Sequence, residues 1–182
     1  MGAYLNAEIG GKPGSQHEMD TDYFKRIAAL NYTIRHDDGQ SQGDLDDADV
    51  ILTGVSRTSK TPTCMYLANR GIKAANVPLV PGIDPPTELL NATRPLIVGL
   101  TTSTERLMQI RKNRLLSMHE ANETEYVDPE LIKSETAEAR RLFARNNWPV
   151  IDVTRRSIEE IASAILNLYQ EHVAKPAELR GL

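Results

Sequence analysis

The residues best suited to chemistry form one short segment, residues 54–61, with the sequence GVSRTSKT. Gly54, Lys60 and Thr61 match the phosphate-loop (P-loop) pattern of a glycine, four residues, a glycine, a lysine and a hydroxyl residue. Such a loop directs several backbone N–H groups at one anion, and the helix after it adds partial positive charge. The lysine reaches phosphate oxygens, and the hydroxyl binds magnesium. Lys60 is therefore a predicted catalytic residue, Thr61 a predicted metal ligand, and the predicted nucleotide-binding residues are Gly54, Val55, Ser56, Arg57, Thr58, Ser59, Lys60 and Thr61.

Ser59 is where this segment departs from the pattern, because a second glycine usually stands at that position. Glycine there permits a positive φ or a close approach of the backbone. Serine still donates its N–H, so the segment is either a phosphate loop of altered conformation or a polar turn with a capping serine. The apolar residues 50–52 before it and the helical pattern after it are the context that a phosphate loop requires, and they favour phosphate binding.

Short apolar runs and helical patterns alternate on both sides of this loop. The first helix has an apolar stripe made by Tyr23, Ile27, Leu30 and Ile34. Strands separated by helices predict βαβ units and a parallel sheet, and uniformly apolar strands predict helices on both faces. The fold class predicted is α/β, a P-loop-type, mainly parallel sheet. Its strands are predicted near residues 50–52, 76–80, 96–100 and 149–153, and its helices over residues 21–35, 62–70, 104–119, 129–146 and 157–173.

The composition excludes several classes of protein. The net charge of −4 argues against a broadly basic nucleic-acid binder. The longest apolar runs are too short to span a membrane, and the first residues do not form a secretion signal. The single cysteine, Cys64, cannot form an intrachain disulfide or a multi-cysteine zinc site. A cytoplasmic protein is therefore expected.

Four segments of the chain are distinctive: HDDGQ at residues 36–40, GVSRTSKTPTCMYLAN at 54–69, GIKAANVPLV at 71–80 and WPVIDVTRRSIEE at 148–160. They resemble the regulatory proteins of pyruvate, phosphate dikinase, and the resemblance extends over nearly the whole chain from about Pro13. The related regulators of phosphoenolpyruvate synthase typically have Ser-Gly-Lys-Thr in place of residues 58–61, so the dikinase regulators are the better match.

The resemblance implies a bifunctional enzyme with one site for two adjacent phosphoryl groups. One reaction transfers the β-phosphate of ADP to a threonine of the dikinase and inactivates it. The other uses inorganic phosphate to remove that group as pyrophosphate and restores activity. The implied cofactors are ADP, inorganic phosphate and magnesium, and the implied partner is the dikinase, with no nucleic acid or membrane. Two alternatives stay open: the same chemistry on phosphoenolpyruvate synthase, and a nucleotide-binding module that transfers nothing. The oligomeric state is also open.

The family comparison also divides the chain. Its members have a further N-terminal α/β region before the segment with which this chain begins. Residues 1–20 are expected to be a flexible lead-in, and residues 21–48 a helix and polar loop that link to that N-terminal region. Residues 49–182 are expected to be the P-loop kinase-like domain.

Three aspartates are candidates for the carboxylate that a threonine kinase requires. Asp37 and Asp38 precede Gly39 in a polar loop, and Asp152 lies at the carboxyl end of the fourth predicted strand, where open α/β sheets bind ligands. Aspartates are also common in turns and caps, and the resemblance favours the functional role for Asp37 and Asp38.

Several basic residues have more than one interpretation. Arg155 and Arg156 follow the fourth predicted strand and are candidates to bind phosphate or the dikinase. Arg111 and Arg114 lie on one helical face, and an exposed basic surface is favoured over a lid on the phosphates. His36 is expected to make a local hydrogen bond, because one histidine makes a weak metal site.

Overall fold

The computed structural model describes residues 21–39, 43–118 and 125–175, so the lead-in predicted for residues 1–20 lies outside the described residues. Within these ranges the α-helices are α1 (Thr21–Arg35), α2 (Lys60–Ala68), α3 (Thr87–Asn91), α4 (Thr104–Met118), α5 (Pro129–Arg145) and α6 (Ile158–Ala174). The β-strands are β1 (Val50–Gly54), β2 (Ala74–Pro78), β3 (Leu96–Thr101) and β4 (Val150–Asp152). Short 3₁₀ turns lie at Leu45–Asp47 and Glu125–Val127.

The four strands form one parallel sheet in the order β2-β1-β3-β4. Val50, the first residue of β1, is in register with Ala74 of β2 and Leu96 of β3. Because the strands are parallel, their carboxyl ends and the loops that follow them meet at one edge of the sheet. The structure confirms the predicted α/β class and the parallel sheet.

Helices cover both faces of this sheet, because alternate side chains of a strand point to opposite faces. Val50 and Leu52 of β1 belong to a core with residues of α2 and α6. Ile51, between them, belongs to a second core with Tyr32 of α1 and Leu89 of α3. Every residue of β1 and β3 is buried, which explains why these strands are apolar without alternation. The P-loop type of this fold stays a prediction.

Two predicted elements lie two residues earlier in the chain than predicted. The second strand occupies Ala74–Pro78 instead of residues 76–80, and Val80 beyond it is half exposed. Its start follows from β1, since the Val50 N–H already donates to the carbonyl of Lys73. Helix α2 begins at Lys60, before Pro62. A proline is tolerated there because N–H groups in the first turn need no partner within the helix.

The apolar stripe predicted for α1 is not its buried face. The helix buries Ala29, Tyr32 and Thr33, whereas Tyr23 and Ile34 of the stripe are 45% and 58% exposed. Thr33 Oγ1 donates to the carbonyl of Ala74 at 2.8 Å and accepts the Ala74 N–H at 3.2 Å. Because the Thr33 hydroxyl pairs with both backbone groups of Ala74 in the edge strand β2, the helix turns its Thr33 face toward the sheet instead of the apolar stripe.

Candidate active site

The 54–61 loop connects β1 to α2 through backbone conformations that favour glycine. Gly54 has φ +151°, and a Cβ atom there would lie 2.4 Å from the carbonyl oxygen of Leu100. Ser59 has φ +62° and Arg57 has φ +70°, both in the left-handed region. Ser59 therefore adopts the positive φ for which glycine is usual at this position, at a conformational cost of roughly 1–2 kcal/mol.

Lys60 is buried at the base of this loop, with 5% of its surface exposed. Its Nζ donates to the carbonyl oxygen of Val55 at 2.8 Å and lies 3.5 Å from Thr58 Oγ1. Burial lowers the pKa of Lys60 to about 8, while Asp38 and Asp37 counteract part of that effect. The side chain is a largely dehydrated cation that its surroundings compensate only in part, as expected for a group that receives an anion.

His36 anchors the turn that carries Asp37 and Asp38. Its ring is buried and stacks on Tyr32, with centroids 3.9 Å apart. Nδ1 lies 2.7 Å from the carbonyl oxygen of Tyr32, and Nε2 lies 2.6 Å from Asp44 Oδ1. The backbone carbonyl of His36 accepts the N–H of Asn76 at 2.9 Å. The predicted local hydrogen-bonding role of His36 is confirmed, and its effect is to fix the two aspartates beside β2.

Asn76 joins that turn to the 54–61 loop. Its Nδ2 donates to Asp37 Oδ1 at 2.7 Å and to Thr61 Oγ1 at 3.0 Å, and lies 3.4 Å from Asp38 Oδ1. Thr61 Oγ1 donates to Asp37 Oδ1 at 2.9 Å. Sequence reasoning gave Asn76 no role. Its signal was a single amide in an otherwise apolar strand, since a buried polar side chain requires partners.

Asp38, Thr61 and Asn76 line a cleft of about 340 Å³ at the carboxyl edge of the sheet. Asp37 does not line this cleft but is hydrogen-bonded to Thr61 and Asn76, which do. The structure brings Asp37 and Asp38 to the predicted nucleotide loop, although about twenty residues separate them in sequence. Gly54, Val55 and Thr58 are buried and do not line the cleft, and the Thr58 hydroxyl donates to the carbonyl of Val55 at 3.0 Å within the loop. The residues that line the cleft are Asp38, Ser56, Arg57, Ser59, Lys60, Thr61, Pro62, Asn76, Pro78 and Ile110.

Asp152 lies at the carboxyl end of β4, away from this cluster. Its carboxylate accepts the N–H and the hydroxyl of Thr154, and these bonds lower the pKa of Asp152. Arg155 and Arg156 follow it and are exposed. Among the described residues, no hydrogen bond or ion pair connects these three side chains to the 54–61 loop. Their roles toward phosphate or a partner stay predictions.

The prediction of an exposed Arg111 was wrong. Its guanidinium is 2% exposed and makes a two-point ion pair with Glu135, with N–O distances of 2.7 and 3.2 Å. It also donates to the carbonyl of Tyr126 and stacks over the ring of that residue. The Tyr126 hydroxyl in turn accepts a 3.4 Å hydrogen bond from Arg57 Nε of the loop. Helical periodicity could not reveal this pair, because Glu135 lies on a different helix. Arg114, by contrast, is exposed as predicted.

A sequence model of the family described as Kinase/pyrophosphorylase matches residues 1–166. This chain belongs to the kinase/pyrophosphorylase family. It is 61% identical over 168 residues to a protein of Caulobacter vibrioides, an alignment that covers 92% of this chain and 53% of that protein. It is 58% identical over 170 residues to a protein of Bradyrhizobium diazoefficiens, which covers 93% of this chain and 61% of that protein. Both are named "Putative pyruvate, phosphate dikinase regulatory protein". The chain thus spans little more than half the length of these relatives.

The oxygen atoms in the cleft of this kinase/pyrophosphorylase chain fit magnesium. Asp37, Asp38 and Thr61 offer carboxylate and hydroxyl oxygens, the hard ligands that Mg²⁺ prefers. The amide oxygen of Asn76 is buried and has no hydrogen-bond partner among the described residues. No group of three His, Cys, Asp or Glu side chains with metal-site spacing occurs in the described part of the chain, so any metal here would need the hydroxyl or the amide as well.

None of the helices that the structure describes for this family member combines the length and the apolar character needed to cross a lipid bilayer.

Proposed function

We propose that this chain carries the catalytic site of an ADP-dependent threonine kinase and phosphate-dependent pyrophosphorylase that inactivates and reactivates pyruvate, phosphate dikinase. One observation carries the proposal. The buried Lys60, the 54–61 loop and the Asp37–Asp38 turn meet at a single cleft. A cation, aligned N–H groups and a carboxylate are the parts that phosphoryl transfer to a hydroxyl requires.

In the kinase direction, the loop N–H groups and Lys60 hold the diphosphate of ADP. Asp38, which lines the cleft, accepts the proton of the threonine hydroxyl as its oxygen attacks the β-phosphorus. The bond from the β-phosphorus to the bridging oxygen breaks, and that oxygen leaves with AMP. Positioning and charge neutralisation supply most of the catalysis, since phosphoryl transfer needs little covalent chemistry from the protein.

In the phosphorylase direction, the same groups hold inorganic phosphate beside the phosphothreonine. An oxygen of inorganic phosphate attacks the phosphorus, the bond to the threonine oxygen breaks, and pyrophosphate forms. The threonine oxygen takes up a proton, which protonated Asp38 can return. One site thus serves both reactions, because each places two adjacent phosphoryl groups against Lys60.

Thr61 and the Asp37–Asp38 turn would hold magnesium in this site. A metal held there would neutralise part of the negative charge of the phosphate oxygens. Arg57 lines the same cleft and can add a further positive charge there. The Tyr126 hydroxyl accepts a hydrogen bond from its guanidinium.

The dikinase is the favoured target for two reasons. The relatives are named as its regulators, and the Thr58-Ser59 pair differs from the Ser-Gly typical of the phosphoenolpyruvate synthase regulators.

The only cysteine, Cys64, is buried and unpaired, which fits a reducing compartment such as the cytoplasm.

The test incubates the purified chain with ADP, Mg²⁺ and the phosphohistidine form of the dikinase, and uses mass spectrometry to detect phosphothreonine and AMP. Phosphoenolpyruvate synthase serves as the second substrate. A Lys60→Ala variant should lose both reactions, whereas Lys112→Ala, an exposed lysine of α4, should keep both. ADP binding without transfer to either protein would contradict the proposed enzymatic activity and support the alternative of a nucleotide-binding module.

A further inference from the structure

We infer that Asp37, Thr61 and Asn76 form a divalent-cation site, in which the Asn76 amide turns over so that its oxygen faces the cation. The inference deepens the proposed function and depends on it for the phosphate oxygens that complete the coordination. Asn76 becomes a metal ligand, a role that its residue type and position in a strand did not predict.

The spacing of three atoms carries the inference. Asp37 Oδ1, Thr61 Oγ1 and Asn76 Nδ2 form a triangle with sides of 2.7, 2.9 and 3.0 Å. Octahedral Mg²⁺ has metal–oxygen bonds of about 2.0–2.1 Å, which places neighbouring ligand atoms about 2.9 Å apart. The three atoms are therefore spaced like one triangular face of a magnesium octahedron, before any cation is bound.

The Asn76 amide provides the second, independent observation. Its Nδ2 occupies the third corner of the triangle, while its Oδ1 is fully buried and has no hydrogen-bond partner among the described residues. Asn76 itself is 1% exposed. A buried acceptor without a partner is costly, and its presence in a functional cleft calls for a reason. A half-turn of the amide exchanges the two atoms and brings the oxygen to the triangle. The turn gives up the Nδ2 hydrogen bonds to Asp37 and Thr61 and places the NH₂ group where Oδ1 lay, so it requires a cation whose bonds to the three oxygens outweigh that loss.

The two orientations suit the two states of the site. Without a cation, the amide N–H groups satisfy the Asp37 carboxylate and the Thr61 hydroxyl. With a cation, three oxygens face the metal, and the carboxylate charge is neutralised by the metal instead of by N–H donors. Asp38 Oδ1 lies farther out, 3.4 Å from the amide, where it can accept a hydrogen bond from a metal-bound water. A site with few protein ligands, open to water and phosphate, fits Mg²⁺ better than Ca²⁺.

Mn²⁺ is the probe, because its binding is measured by electron paramagnetic resonance and it takes the same ligands. The full chain is titrated with Mn²⁺, with and without ADP. We expect Asn76→Ala to weaken Mn²⁺ binding at least tenfold and Asn76→Asp to keep it, because the aspartate retains an oxygen at the triangle. Asp46→Asn is the matched control; this exposed carboxylate accepts the N–H groups of Thr93 and Arg94, far along the chain from the site.

Circular dichroism confirms folding of each variant, and side-chain ¹⁵N NMR tests the turn directly. The Asn76 NH₂ signal, identified by its loss in Asn76→Ala, should shift on Mg²⁺ addition. Equal Mn²⁺ affinity of wild type and Asn76→Ala, or an NH₂ signal that ignores Mg²⁺, overturns the site. Binding as expected without phosphothreonine formation overturns the proposed function alone, since the titration needs no dikinase.

Discussion

Lys60 Nζ lies 2.8 Å from the carbonyl oxygen of Val55, so the cation of the loop donates to the backbone of the loop itself. A carbonyl dipole compensates a buried charge less well than a carboxylate does, and the lowered pKa of about 8 reflects that burial. The free protein thus holds a buried positive charge at the base of the cleft at a cost in free energy. An anion that binds in the cleft reduces that cost.

Replacing Lys60 with methionine should therefore stabilise the fold and abolish phosphate binding. A pKa lowered from 10.5 to about 8 corresponds to roughly 3 kcal/mol of destabilisation at neutral pH, and loss of the Nζ hydrogen bond takes back about 1 kcal/mol. We expect the free energy of unfolding to rise by about 1–2 kcal/mol in urea titrations, while calorimetry detects no ADP binding. Lys112→Met, on the exposed side of α4, should change neither quantity. A clear loss of stability in Lys60→Met would contradict the view that the buried charge of Lys60 destabilises the fold.

The affinity for ADP should fall as the pH rises through about 8. Below that value Lys60 is protonated in the free protein; above it, binding must first add a proton to the side chain. The bound diphosphate raises the lysine pKa, so between pH 7.5 and 9.5 the dissociation constant should increase about 20-fold. Phosphate groups, with a pKa near 6, are fully ionised over this range. Isothermal calorimetry should show proton uptake in the upper part of this range, and Lys60→Met should show no such pH dependence.

Lys60 also makes the free energy of unfolding depend on pH, but this quantity rises with pH whereas the affinity for ADP falls. A lysine with a lowered folded-state pKa destabilises the fold fully below pH 8, where it is protonated both folded and unfolded. The penalty is relieved between pH 8 and 10.5, because there the unfolded chain binds more protons than the folded one. This contribution to the free energy of unfolding should be absent in Lys60→Met, which a comparison of urea titrations at pH 7 and 10 can isolate.

Ser59→Gly should keep activity and leave the fold as stable or slightly more stable. Ser59 has φ +62°, which costs a non-glycine residue about 1–2 kcal/mol, while glycine adds about 0.5–1 kcal/mol of unfolded-state entropy. We expect a net gain of up to about 1 kcal/mol in the free energy of unfolding. The control is Ser59→Val, whose branched side chain disfavours this conformation. Destabilisation by glycine as large as that by valine would contradict the view that the positive φ of Ser59 carries the cost.

The loop and the sheet could be predicted because their signals are local. Residues 50–52 and 54–61 lie together in sequence, and a buried parallel strand followed by a glycine-bounded loop has a recognisable pattern. The turn at Asp37 was recognised as a candidate, but its distance to Thr61 depends on packing of α1 against β2. Sequence alone could not supply that contact.

The errors concern residues whose environment is set by distant partners. Arg111 looked exposed by helical periodicity, yet Glu135 of another helix neutralises it in the interior. The α1 stripe was assigned by apolar spacing, whereas Thr33 binds the edge of β2 through its hydroxyl. Asn76 is a single amide in an apolar strand, a signal that marks the residue but does not show which partners it reaches. In each case a polar group reaches a partner on another element.

Breaking the buried pair of Arg111 and Glu135 should be costly. Arg111→Met leaves the Glu135 carboxylate, which is only 12% exposed, without its cation, and such losses amount to at most about 3–5 kcal/mol. The double variant Arg111→Met with Glu135→Leu should recover most of that loss in urea unfolding, because the orphaned charge is gone. Arg94→Met supplies the comparison; its ion pair with Asp47 is exposed at 3.6 Å and should contribute less than about 1 kcal/mol. Equal effects of both single changes would contradict the view that the interior pair contributes more to stability than the exposed one.

Asp38→Asn should impair the kinase reaction more than the phosphorylase reaction, whereas Asp37→Asn should impair both. Asp38 lines the cleft and is exposed, so it can accept the threonine proton, a step worth about 10²–10⁴ in rate. Inorganic phosphate is already an anion and needs no base to attack, although the departing threonine oxygen still gains from a proton donor. Asp37 is different, because its carboxylate binds Thr61 and Asn76 and so shapes the site for either reaction. The measurement compares both rates for each variant on the dikinase, with Asp46→Asn as the neutral carboxylate control. Equal losses in both directions for Asp38→Asn would assign it to positioning and leave the proton acceptor to another group.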